Sequence, residues 1–141
     1  MSTSLNLQRR AQGGDLETEA PSRSQFLTLV RLGRSLLEDA RRESLSLEGR
    51  FSLVYGASQA LAAAALRAHG YRSANRSTAF ECLPETAGLS AVQSRVLELC
   101  HDRRVRADQE GLLEVDERLV AEAAEVTQRL LERLERLRLA Y

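Results

Sequence analysis

Nine consecutive residues, His101-Asp102-Arg103-Arg104-Val105-Arg106-Ala107-Asp108-Gln109, gather the densest set of chemically able side chains in the chain. Three arginines can clamp phosphate oxygens through paired N–H groups, and histidine exchanges a proton near neutral pH. Asp102 and Asp108 cancel much of that positive field. Arg104 and Asp108 also stand four residues apart, the spacing of an ion pair within one helix. The segment therefore supports two readings, a phosphate-binding site or a solvated helix end with internal ion pairs. Arg72 and Arg76, in the polar stretch 71–78 (YRSANRST), add two cations to the candidate binding set of Arg103, Arg104 and Arg106.

Other reactive arrangements are missing. The sequence has no Gly-rich phosphate loop, no G-x-S-x-G, no H-E-x-x-H and no EF-hand loop. His69 and His101 are the two histidines, and no carboxylates stand at a spacing that would make either a metal ligand, so neither metal nor cofactor is expected. His69 precedes Gly70, where it reads as a residue capping terminal carbonyls. Cys82 and Cys100 lack cysteine or histidine partners at ligand spacing and read as buried small hydrophobes.

The elements that must position the candidate residues follow from composition and period. A chain of 141 residues, 43% of them hydrophobic, suits one domain. Its apolar content is mostly Leu and Ala, with no Trp, which favours helix over strand. Basic and acidic residues number 20 each, so no global charge steers the protein toward nucleic acid and any such contact must be local. All the basic residues are arginine, which reflects codon composition more than function. Residues 1–21 are polar, contain Gly13-Gly14 and read as a loosely attached arm; residues 22–141 form the helical domain. Ser22 with Gln25 fits a capping box opening a helix to Ala40, with Phe26, Leu29, Val30, Leu36 and Leu37 on its apolar side. A second helix over 48–69 places Phe51, Val54, Tyr55, Ser58, Leu61, Ala62, Ala65 and Leu66 on one face, and Gly70 stops it. A short helical piece through Phe80 ends near Pro84, which with Gly88 brackets a turn. The next helix, over 90–109, turns Val92, Val96, Leu97, Leu99 and Cys100 inward, and Gly111 closes it. The last, over 116–139, carries a seam of Leu119, Ala123, Val126, Leu130, Leu134 and Leu137, with Glu125/Arg129 and Glu132/Arg136 on a solvated face. The expected architecture is an all-α, up-and-down bundle of four long helices plus a short one. No run approaches the roughly 18 apolar residues of a membrane span, so a cytoplasmic location is expected.

Gly70-Tyr71-Arg72 at the end of the second helix, Phe80-Glu81-Cys82-Leu83-Pro84 with Gly88-Leu89, and the charged end of the following helix together resemble HEPN-domain proteins, over about residues 22–135. That family consists of small prokaryotic helical bundles from toxin–antitoxin and defence loci, often homodimeric. Its RNA-cutting members carry an R-x4-[HY] motif, usually with Asn after the Arg, near the end of the helix that here spans 90–109. The resemblance implies that the Arg holds the scissile phosphate while the His or Tyr assists proton transfer as the ribose 2′-OH attacks. With Gly111 in register, the motif Arg falls on Arg104, the Asn on Val105 and the terminal residue on Gln109. Glutamine does not exchange a proton near neutral pH, and a valine side chain forms no hydrogen bond.

The leading expectation is accordingly a non-catalytic HEPN-like protein that homodimerises and binds RNA, a nucleotide or a partner such as a nucleotidyltransferase-type protein. The rival is a metal-independent ribonuclease using Arg104 with His101, one turn before it in reversed order, or with Gln109. A third reading is a helical adaptor that presents part of the last helix's apolar seam.

Overall fold

The computed structural model describes the backbone of residues 2–140 and the side chains of 5–137. The four long helices are α2 (Arg23–Asp39), α3 (Leu47–Ala68), α6 (Ala91–Glu110) and α7 (Glu117–Ala140). Three shorter ones accompany them: α1 (Ser2–Gln12), α4 (Arg76–Glu81) and α5 (Leu83–Ala87). A two-residue antiparallel pair joins β1 (Glu17–Thr18) to β2 (Tyr71–Arg72), with Glu17 opposite Arg72. The bundle is all-α in architecture, and among the described residues no helix is long and apolar enough to cross a membrane.

Side-chain caps define where the long helices begin. Ser22, Ser46 and Ser90 each accept a hydrogen bond from the backbone N–H three residues on. The reciprocal half of the box appears at Ser90, whose N–H donates to Gln93 Oε1 at 2.9 Å. At Ser22 it does not form, because Gln25 Oε1 accepts from Arg67 instead. Pro84 starts a helix where the sequence suggested an ending. It occupies the first turn of α5, where a missing N–H costs nothing and a fixed φ is already helical, and Gly88 at φ 70° closes that helix.

The α2–α3 hairpin forms one side of the core and α7 packs across α3, α2 and α6. Phe26, Phe51, Leu61, Leu66, Phe80, Leu83, Leu97, Leu130 and Leu134 are fully enclosed, each burial contributing about 1.5–3 kcal/mol. The alanine run of α3 serves close packing, with Ala62, Ala64 and Ala65 at 0% exposure. The inward side of α6 is narrower than its sequence suggests. Ser94, Leu97 and Cys100 are buried, while Val92 and Leu99 lie on another stripe of the helix, exposed at 72% and 39%. On α7, Arg118 pairs with Glu122 along the surface and Glu135 reaches Arg34 of α2.

The segment before Pro21, expected as a loose arm, is folded onto the bundle in its described part. Leu7 and Leu16 are buried at 1% and 2%, and α1 packs against α5. The deeper anchor is Arg67, 5% exposed. Its five N–H donors meet Gln25 Oε1 (3.0 Å), the carbonyls of Glu19 (3.2 Å), Tyr71 (3.3 Å) and Ala20 (2.6 Å), and the Glu19 carboxylate (3.1 Å). One side chain of α3 thus satisfies the irregular backbone that follows β1 and a carbonyl of β2 itself. Polarity alone concealed this, since the arm's two apolar anchors are nine residues apart and follow no helical or strand period.

Cys82 and Cys100 are buried thiols, as the sequence suggested. Removal from water pushes their pKa values up to about 11 and about 12. Ionisation is therefore easier in the unfolded chain, and this contribution to stability, intact at neutral pH, is lost as pH rises from about 9 toward those folded-state values. Ellman's reagent at pH 8 is expected to find no reactive thiol in native protein and two after guanidinium unfolding. A rapid native reaction at either cysteine would contradict the burial.

Candidate functional site

Tyr55, near the middle of α3, faces the apolar core, and an aromatic hydroxyl in that position needs a polar partner. It finds one on α6, where His101 Nδ1 lies 2.8 Å from the phenol oxygen. One turn along α3, Gln59 reaches the same oxygen at 3.0 Å. With its amide oxygen turned toward the group, Gln59 accepts from Tyr55 and also from Arg76 Nε (3.0 Å) and Nη1 (3.1 Å). The opposite orientation would set amide N–H groups against those of Arg76, so the oxygen-inward arrangement holds.

This network assigns the protons. Tyr55 donates its single proton to Gln59, and its oxygen therefore accepts from His101 Nδ1–H. In the neutral ring Nε2 is left with the lone pair. Aromatic contacts hold the pair in place: Phe51 stacks on Tyr55 with centroids 6.0 Å apart, and Phe80 lies 6.0 Å from the His101 ring. Ser94 Oγ donates to the Phe80 carbonyl at 2.7 Å, tying α6 to α4 beside the site.

The electrostatics are two-sided. Burial raises the Tyr55 pKa, while the Arg76 charge and hydrogen bond, and more weakly the Arg104 charge, pull it down, and the Asp108 carboxylate paired with Arg104 opposes that last effect. The phenol remains protonated at neutral pH, with the Arg76 guanidinium held beside it by Gln59 and the Arg104–Asp108 pair near enough to act on it through charge. On the other side His101 borders a shallow depression of about 310 Å³ that it shares with Ser77, Glu81, Glu98, Leu99 and Asp102.

The structure divides the residues singled out in the sequence. It brings together His101, Arg104 and Arg76, from two helices, around Tyr55 and Gln59, which sequence reasoning had left in the core or unmentioned. Arg104 also holds Asp108 at 3.4 Å, the i, i+4 pair foreseen from spacing. Arg103 and Arg106 face elsewhere. Arg103 lines a depression with Leu99, Glu114, Val115, Asp116 and Leu119, and Arg106 pairs with Glu110 and Glu114. Consecutive helical residues diverge by about 100°, so three arginines within four positions cannot form one surface. Gln109 is exposed in the last turn of α6, about 140° round the helix from Arg104. Arg72 sits on β2, 3.6 Å from Glu19, and His69 Nε2 bonds the Thr86 carbonyl of α5 rather than its own helix end.

The available signal for the missed residues was modest. Tyr55 and Gln59 are spaced i, i+4, a tyrosine followed by the one amide on an otherwise apolar face, which marks where that face meets something polar. Chemically, the group offers the guanidinium groups of Arg76 and Arg104 for an anion and an imidazole that the Tyr55 phenol orients, with its Nε2 free. Compared with protein-family models, with curated proteins and with solved structures, the chain matches none of them.

Proposed function

We propose that this chain is a HEPN-like protein acting by association rather than catalysis, pairing as a homodimer and binding single-stranded RNA through Arg76 and Arg104. The observation that carries the reading is the convergence of those two arginines on the Tyr55–His101 pair. Guanidinium groups bind phosphate oxygens in bidentate fashion, and a charge-assisted hydrogen bond contributes about 1.5–3 kcal/mol. Arg104 exchanges its exposed partner Asp108 for phosphate, and Arg76 swings from the Gln59 amide. Supporting the same reading, the terminal residue of the R-x4-[HY] pattern is Gln109, exposed and chemically inert to proton transfer.

The test is fluorescence anisotropy with a labelled single-stranded RNA across a salt series. Affinity should fall with salt, and Arg76→Ala with Arg104→Ala should weaken it at least tenfold while Arg106→Ala, whose charge faces Glu110 and Glu114, changes it little. Absence of binding at low salt, or equal loss from all three changes, would overturn it. Light scattering after gel filtration addresses the dimer, and a monomer at tens of micromolar removes that part.

One observation favours a second reading, a metal-independent ribonuclease. The Tyr55 bond fixes the His101 ring and leaves Nε2 free to accept a ribose 2′-OH proton, with Arg104 beside it to steady the phosphate. Cleavage of single-stranded RNA in EDTA, abolished by His101→Ala and by Arg104→Ala, is its required result.

A further inference from the structure

A second concave surface adjoins the Tyr55–His101 group and shares Gln59, Arg76 and Phe80 with it. It runs between α2 and the 72–80 segment with α3 as its floor, and encloses about 650 Å³, within the range of small-molecule sites, roughly 300–1,000 Å³. Its three sides differ in chemistry. The floor is made of small residues, Gly56, Ala60 and Ala63, and the α2 wall presents Leu29 and Leu32. Leu32 is 48% exposed, a large aliphatic side chain left open to water. The opposite wall carries Arg72 and Arg76. From Gly56 to Arg67 the floor extends eleven helical rises, roughly 16 Å.

The charged residues of the lining are Arg67, Arg72 and Arg76 against Glu19 alone. Arg67 directs its donors to Glu19 and to backbone and Gln25 acceptors, so it contributes no free hydrogen bond to the groove. Arg72 is different: its side chain is 65% exposed and it holds Glu19 only at 3.6 Å, a carboxylate already engaged by Arg67 at 3.1 Å. The aromatic residue of the lining, Phe80, is 0% exposed and offers no stacking face to a base.

We propose that this groove binds a free anionic amphiphile, its aliphatic chain lying along Leu29, Leu32, Ala60 and Ala63 and its carboxylate or phosphate headgroup on Arg72 and Arg76. Burying the chain removes both the ligand's and the groove's apolar surface from water, and the two arginines set the sign of the headgroup. A nucleotide base lacks a stacking partner here, and a cationic amphiphile meets an excess of two positive charges.

Isothermal titration of the full chain with decanoate and with decyl phosphate, below their micellisation concentrations, tests this directly. Saturable one-to-one binding is expected, with decyltrimethylammonium at least tenfold weaker. Arg72→Gln combined with Arg76→Gln should cost at least tenfold for the anions. Ala63→Leu, which fills the floor at a half-buried helical position, and Leu32→Glu, which adds a carboxylate at the open rim, should each do the same. Circular dichroism establishes that both fold. Equal affinity for the cation, unchanged binding in Ala63→Leu and Leu32→Glu, or association with anionic phosphatidylglycerol vesicles without any binding of the monomeric anions would each overturn the proposal. Arg76 is common to this groove and to the proposed RNA site, whereas Ala63 and Leu32 belong to the groove alone, so Ala63→Leu and Leu32→Glu should weaken the amphiphile and leave RNA affinity unchanged.

Discussion

Arg67→Ala is expected to lower the unfolding free energy by about 3–5 kcal/mol, the scale seen when one partner of a buried ion pair is removed. The wild-type side chain is 5% exposed and satisfies three backbone carbonyls, the Gln25 amide and the Glu19 carboxylate. Alanine leaves those acceptors facing a void, and each acceptor that water does not reach costs about 1–3 kcal/mol. Glu19 is partly exposed and recovers solvent, which keeps the total at the scale of a single buried pair rather than the sum of five bonds. Arg67→Lys should recover only part, since three donors on one ammonium cannot imitate a planar five-donor fork. Urea unfolding followed by circular dichroism gives the magnitude. Limited proteolysis adds a local signature, because residues 13–21 should become cleavable before the bundle unfolds. A variant losing under about 1 kcal/mol, with unchanged proteolysis, would mean that β1 and the 19–21 backbone are held by other means, such as Leu7 and Leu16.

The second large effect concerns Leu61 of α3 and Gly33 of α2. Leu61 is fully buried, and a Cβ built at Gly33 would lie 2.5 Å from its Cγ and Cδ2. The leucine therefore occupies a notch that exists because position 33 has no side chain. Leu61→Ala should cost toward the upper part of the 2–5 kcal/mol range, since glycine offers nothing to collapse into the space. Gly33→Ala should also destabilise, by up to about 2 kcal/mol: overpacking costs roughly 1–3, against about 1 kcal/mol gained in helix propensity. The double variant should be more stable than the sum of the two by at least about 1 kcal/mol, because each change makes room for the other. Strict additivity in denaturant unfolding would show that the two side chains do not share one space.

Several features were legible from local chemistry because they depend on local chemistry. The long helices follow from Leu and Ala at helical period, serine caps, and glycines at Gly70 and Gly111 whose positive φ ends a helix. The Arg104–Asp108 pair is likewise a consequence of spacing within one helix. Pro84 was misread because proline both ends and begins helices, and only the presence of further helical residues to Ala87 distinguishes the cases. Val92 and Leu99 were misread because α6 is apolar on more than one stripe, and its neighbours cover only the stripe through Leu97 and Cys100.

The segment from His101 to Gln109 illustrates the boundary best. Its residue types alone made it the candidate segment, and its helical state set Arg104 apart in angle from Arg103 and Arg106. What those residues could do was decided elsewhere. Tyr55 and Gln59 lie more than forty positions earlier, and Arg76 on a short helix whose position depends on packing at Phe80 and Ser94. A hydrogen-bonded group drawn from three helices leaves no period in the sequence, because its spacing is in space rather than along the chain. The same holds for Arg67, whose acceptors are mostly backbone carbonyls and so carry no residue identity to read. Helix content and the candidate segment were thus properties of the sequence, whereas the Tyr55–His101 pair and the arginine-walled groove came into being only when α2, α3, α4 and α6 packed together, and the anchored N-terminal segment only when α1 met α5 and Arg67 met the backbone beyond β1.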